Sequence, residues 1–185
     1  MQRILCGPTG RIAAVVLMLS LGWPAHAHAG AALKTTTRTP PPGSCYEGNL
    51  IDVLDLVGRA IALVEQRGAE AAFRRIMERG GGFVRGDLYV FVLDAEGRIV
   101  ANGAAPESVG SNALAARDQN GRYFVRDILR RAYSVGDGWI SYRWYSPCNG
   151  QWLDKQVYFK RSGRYVVCAG FYDTLAIHPH RNDAW

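Results

Sequence analysis

Residues 138–172 read GWISYRWYSPCNGQWLDKQVYFKRSGRYVVCAGFY, and they predict three consecutive antiparallel strands. Over 138–145, β-branched and aromatic residues alternate. Ile140, Tyr142 and Trp144 project to one face, and Trp139, Ser141, Arg143 and Tyr145 to the other. The run Ser146-Pro147-Cys148-Asn149-Gly150 breaks this pattern with Pro and Asn-Gly, both strong turn formers. Extended character resumes over 155–161, Ser162-Gly163 makes a tight connection, and the Val-rich 164–172 is the third strand. Aromatics on both faces of the first strand demand cover on both sides, or cover on one and a pocket on the other.

Upstream, Gly136-Asp137-Gly138 separates this meander from a helix over about 122–133 with the stripe Phe124, Val125, Ile128, Leu129 and Ala132. Residues 102–119 are irregular, with Gly103, Pro106, Gly110 and Asn112 spread through them. Before them, 87–94 is a strand apolar on both faces, as a central strand is, and Ala95-Glu96-Gly97 turns it into a short return strand over 98–101. Earlier still, Asn49 caps a helix over about 50–66, whose apolar positions Leu50, Val53, Leu54, Val57, Ile61 and Val64 recur at three and four. Gly68 ends it, and a second helical segment runs over 69–79. Five antiparallel strands split two and three, with a long N-terminal helix packed behind, make an α+β domain of PAS-like plan.

The 185 residues allow one domain with a proper core. Arg3 and Arg11 precede an apolar run over 12–23 that ends in Pro24-Ala25-His26-Ala27-His28-Ala29, the three parts of a secretory signal. Cleavage after Ala27 and after Ala29 are equally readable. The expected organisation is a signal peptide over 1–29, a Thr/Pro/Gly-rich linker over 30–47, a sensory domain over 48–173 and a polar tail over 174–185. Removing the leader with its two arginines takes the formal charge from +6 to +4. The remaining basic residues are scattered, which together with export argues against a nucleic-acid partner. Three cysteines stay behind, Cys45, Cys148 and Cys168, in an oxidising secreted or periplasmic setting, so one disulfide and one spare thiol is the simplest arithmetic.

These landmarks resemble the single Cache domains, extracytoplasmic sensory modules common on chemoreceptors and histidine kinases. The similar stretches are Gly86-Asp87-Leu88-Tyr89-Val90-Phe91-Val92-Leu93-Asp94, Gly97-Arg98-Ile99-Val100-Ala101, Pro106 with Val109-Gly110, Asp118-Gln119-Asn120-Gly121, Gly138-Trp139-Ile140-Ser141-Tyr142-Arg143-Trp144, Lys155 with Tyr158, and Gly170-Phe171-Tyr172. The resemblance covers about 50–172. It departs at Asn102-Gly103, where compared members often carry His-Pro, and at the turn rebuilt around Cys148. The resemblance implies binding of a small molecule, often a short organic acid, on one face of the sheet. It also implies a membrane receptor or kinase as partner, and no catalysis. In membrane-tethered relatives the long helix begins on the side of the sheet where this chain turns at Cys148. The resemblance thereby implies a Cys45–Cys148 disulfide, with Cys168 a buried thiol.

Candidate ligand-binding residues follow from chemistry. Tyr142 and Trp144 share a face and combine an apolar body with one polar hydrogen. Lys155, at the start of the next strand, offers a point charge to a carboxylate, and Tyr158 a hydroxyl. Asn102 and Arg126 are further candidates. Core packing also accounts for the two aromatics, and a solvated strand edge for the lysine. Asp87, Asp94 and Glu96 cluster at a hairpin, where turns favour Asp for backbone reasons alone. No histidine lies between Gly30 and Tyr172, which removes the usual general base, and no metal-ligand spacing, phosphate loop or cofactor motif is present. The expectation is a small-molecule-binding sensory domain without its own output module, and no enzyme. The alternative is a ligand-free module that docks on a membrane partner. A filled pocket of about 300 Å³ or less without convergent donors would favour that alternative.

Overall fold

The computed structural model describes residues 48–173; the expected leader, linker, Cys45 and C-terminal tail lie outside them. Helix α1 spans Leu50–Arg67 and opens on a full capping box. The Asn49 side-chain oxygen accepts from the Ile51 and Asp52 amides at 2.8 and 3.1 Å, and the Asp52 carboxylate accepts from the Asn49 amide at 3.1 Å. Its buried residues are Val53, Leu56, Val57 and Ala60. Leu50 and Leu54, expected in the stripe, are 50% and 40% exposed. The small Ala60 lets the helix approach the sheet closely, so the buried face centres on Val57 and leaves those two leucines outside. Gly68, at φ 76°, turns the chain from α1 into α2, Ala69–Met77.

The sheet has one strand more than the sequence predicts. Strand β1, Val84–Arg85, and β3, Ile99–Asn102, lie in series along one edge of β2, Leu88–Asp94, and the sheet continues through β6, Tyr165–Tyr172, and β5, Gln151–Ser162, to β4, Asp137–Ser146. Neighbouring strands are antiparallel throughout. Strand β5 begins at Gln151, earlier than expected, so Lys155 stands inside the strand and not at its start. The 2–3 hairpin is held by Asp94, whose carboxylate accepts from the Glu96 and Arg98 amides at 3.0 and 2.8 Å; this is the backbone role that turns ask of Asp.

The two faces of the sheet are covered differently. On one, α1 packs over Leu88, Val90, Val92, Val167 and Ala169. On the other, α3, Phe124–Val135, lays Val125, Ile128 and Leu129 against Phe91, Phe159 and Cys168. Fully buried Phe159 and Ile128 anchor that second layer, and truncating such a Phe to Ala costs roughly 3–5 kcal/mol. Between β3 and α3 the crossover contains a 3-10 turn at Pro106–Ser108 and leads over the sheet without further regular structure. Among the described residues no helix is long and apolar enough to cross a membrane.

Candidate functional site

Strand register decides which side chains meet. Across β4, β5 and β6, Tyr142 pairs with Lys155 and Lys155 with Tyr172, so these three form one cross-sheet row on the α3 face. On β2, Tyr89 pairs with Gly170, one row along on the same face. Gly170 has no side chain there, and a Cβ added to it would meet the Gln156 carbonyl at 2.5 Å. A side chain at 170 is therefore excluded, and Tyr89 stands opposite a bare backbone position.

Lys155 is the unusual member. It is 0% exposed, and its Nζ has no hydrogen-bond partner among the described residues. The nitrogen lies 3.7 Å from the ring centroid of Tyr89 and 4.8 Å from that of Tyr172. Aromatic faces attract a cation, by about 0.5–2 kcal/mol each, but they do not replace the hydrogen bonds that water gives an ammonium. Its field reaches Cys168: burial pushes that thiol up, and Lys155 pulls the other way.

A cavity of about 120 Å³ opens beside this group, lined by Tyr89, Phe91, Asn102, Phe124, Tyr142 and Trp144 among others. Phe124 stacks on Tyr142 with centroids 4.0 Å apart, and Trp144 meets Phe124 edge-on at 5.2 Å. The Tyr142 phenol is held well above its usual range, by burial foremost and then by the neighbouring Tyr89, so it stays a neutral donor. Burial, then Tyr89 and Asp87, push the Tyr172 phenol up likewise; its hydroxyl donates to the Tyr145 carbonyl at 2.8 Å. Tyr89 walls this cavity, and Lys155 sits behind its ring.

Of the residues expected from sequence, Tyr142, Trp144, Asn102 and Lys155 are brought together here. Asn102 spends its side-chain oxygen on the Ala104 and Ala105 amides, both at 3.1 Å, and its Nδ2 on Ser108 Oγ at 3.1 Å, so it shapes the crossover loop. Two are placed elsewhere. Tyr158 stands three residues from Lys155, and an odd step along a strand changes face. It lies on the α1 side, donates its hydroxyl to Asp137, and is pushed up to about 12 by burial and then by that carboxylate. Arg126 is exposed on α3; its Nε donates to the Leu114 carbonyl at 2.8 Å and its guanidinium stacks 4.1 Å over Tyr123, clamping the crossover. Sequence reasoning missed Tyr89 and Tyr172. The even spacing of Tyr89 from Phe91 was legible, but the pairing of Tyr172 with Lys155 needs the register.

A second, open cleft of about 480 Å³ lies at one end of the sheet, lined by Arg79, Asp87, Tyr89, Gly103, Pro147 and Cys148 among others. Asp87 is 6% exposed. Its carboxylate accepts from the Ser146 hydroxyl and from the Cys148 amide at 3.3 Å, which fixes the β4–β5 turn. Cys168 is the buried thiol expected within β6. Cys45 lies outside the described residues, so its pairing with Cys148 is not part of this geometry.

Comparison with known proteins places this geometry in a lineage. The sequence profile of the family single Cache domain 2 matches residues 64–174. A methyl-accepting chemotaxis protein from Vibrio parahaemolyticus RIMD 2210633 is similar at TM-score 0.57 and 18% identity, covering 66% of this chain and 86% of that one. The periplasmic sensor domain of a chemotaxis protein is similar at TM-score 0.51 and 23% identity, over 64% and 86% of the two chains. A Cache chemosensory domain that recognises carboxylic acids is similar at TM-score 0.51 and 16% identity, over 64% and 84%. No curated protein sequence matches this chain at a significant level.

Proposed function

Because the chain belongs to the single Cache domain 2 family, a family of extracytoplasmic sensory modules, we propose that it binds a small monocarboxylate on the α3 face of its sheet. One observation carries this reading: Lys155 Nζ, fully buried and without a hydrogen-bond partner among the described residues, between the rings of Tyr89 and Tyr172. An ammonium brought out of water without a partner is costly, and a carboxylate delivered to it supplies both charge and acceptors. The surrounding aromatics exclude water and strengthen that one interaction. The Tyr142 phenol, held neutral, adds a donor, and the apolar wall of Phe91, Phe124 and Trp144 takes a short aliphatic tail. Among the described residues no charged side chain lines this cavity itself, so the Lys155 ammonium behind the Tyr89 ring is the charge the site offers, which disfavours dicarboxylates and amino acids. A solved Cache domain that recognises carboxylic acids is consistent with this ligand class.

In this proposal the chain is exported and acts in the periplasm or outside the cell, presenting or withholding the acid for a membrane receptor or kinase. A Cys45–Cys148 disulfide belongs to it as well. That bond would close a loop of about a hundred residues, worth on the order of 4 kcal/mol in the chain-entropy picture. Mass mapping of non-reduced peptides tests it, and a link from Cys168 to either partner refutes it.

A second reading, a ligand-free interaction module, is favoured by the small volume of the cavity, about 120 Å³, and by the close stacking of Phe124 on Tyr142. A thermal-shift screen of the full chain with acetate, propionate, lactate and pyruvate separates the two. An acid at a hundred times its dissociation constant stabilises the fold by about 2.7 kcal/mol, a melting shift of roughly 5–10 °C. Silence from every acid leaves the interaction module.

A further inference from the structure

Two cavities share one side chain. Tyr89 walls both the 120 Å³ cavity over the sheet and the 480 Å³ cleft at its end. The two also meet along consecutive residues, Asn102 lining the first and Gly103 the second. Lys155 lines neither: its Nζ lies behind the Tyr89 ring, 3.7 Å from the centroid. Tyr89 itself is half-buried, in contrast to Phe91 and Leu93 further along the same strand, which are 8% and 1% exposed. A carboxylate that is to touch Nζ therefore needs this ring to turn, and the open cleft that Tyr89 lines gives it room to do so.

Charge at the cleft suits an incoming anion. Arg79 is exposed and forms no ion pair among the described residues, whereas Glu78 beside it is held by Arg75 at 2.7 Å. Asp87, the other acidic lining residue, is 6% exposed and has its two oxygens on Ser146 and Cys148. Those two donors are neutral and leave the Asp87 charge in place, but that carboxylate is buried against the β4–β5 turn, so the exposed charge without an ion pair among the described lining residues is the Arg79 guanidinium.

We infer that Tyr89 is a movable partition between the two cavities, that the acid reaches Lys155 through the open cleft as the ring turns, and that the turned ring, still standing between the cavities, sets the longest aliphatic tail the site accepts. This rests on the carboxylate reading of the Lys155 site. With the ring turned but present, the tail is confined to the smaller cavity. With the ring removed, the two compartments become continuous and longer acids fit.

Stopped-flow binding of propionate and pentanoate to the full chain, followed by tryptophan fluorescence, tests this. Ala104 is exposed on the wall of the cleft, which Lys155 does not line. Ala104→Phe should slow association and dissociation of propionate alike, by about tenfold each, and leave Kd unchanged. Tyr89→Ala should admit pentanoate, which the parent excludes, while Tyr89→Phe keeps the parent's exclusion. Unaltered rates in Ala104→Phe overturn the route, and that variant decides alone if Tyr89→Ala fails to fold. Pentanoate binding equally to parent and Tyr89→Ala, or to neither, overturns the partition. A parent chain that binds no acid at all overturns the reading of the Lys155 site itself, and this inference with it.

Discussion

Replacing Lys155 by Met tests the site and the energetics together. Read as a strand-edge residue, the lysine should be replaceable with no effect on the melting point. Its complete burial reverses that expectation. The effective cost of burying one unpartnered ion is several kcal/mol, and contacts with the Tyr89 and Tyr172 rings, 3.7 and 4.8 Å away, return about 0.5–2 kcal/mol each. Methionine is unbranched and similar in length, so it fills the same space without the charge. The net gain on substitution is about 2 kcal/mol, or a rise of roughly 5–10 °C in the melting point of a domain this size. The response to short acids should vanish in the same variant. Differential scanning fluorimetry with and without propionate reads both. A melting point that stays level or falls would mean that the ammonium is not paying a desolvation cost, and persistence of the acid response would place the binding site elsewhere.

Three further outcomes follow from the same geometry. Tyr158→Phe removes the hydroxyl bonded to Asp137 on the α1 face and should leave acid affinity within about twofold of the parent by calorimetry, since that ring is on the far side of the sheet. Asp87→Ala strands the fully buried Ser146 hydroxyl and the Cys148 amide, and urea denaturation should show a loss of about 2–3 kcal/mol. Alkaline pH should destabilise the fold: the Tyr158 phenol is raised to about 12, and Tyr142 and Tyr172 are also raised, so the folded state favours their neutral forms. That contribution is whole below the unfolded phenol value near 10 and is lost as pH rises through the folded values. Absorbance at 295 nm should show these phenols ionising late, and complete titration of all nine tyrosines near pH 10 would contradict it.

Local rules account for what was legible in the chain alone. The capping pair Asn49 and Asp52, the alternation of Ile140, Tyr142 and Trp144, and the Pro–Asn-Gly turn at 146–150 are each set by neighbours within a few residues. They suffice for the α+β plan, the three-strand meander and the family, and they bring Tyr142, Trp144 and Lys155 forward as a set. Alternation also held the answer for Tyr158, whose odd step from Lys155 already put it on the other face. What only the tertiary structure decided depends on register and packing between distant segments. The pairing of Lys155 with Tyr172, the approach of Tyr89 from β2 and the commitment of Arg126 to the Leu114 carbonyl join residues up to sixty-six positions apart. So does the rotation of α1 that buries Ala60 and exposes Leu50. Burial has the same origin: a lysine in a strand reads as a wet edge until β2 and β6 close over it, and only then does its unpartnered ammonium become the feature on which the proposed ligand site rests.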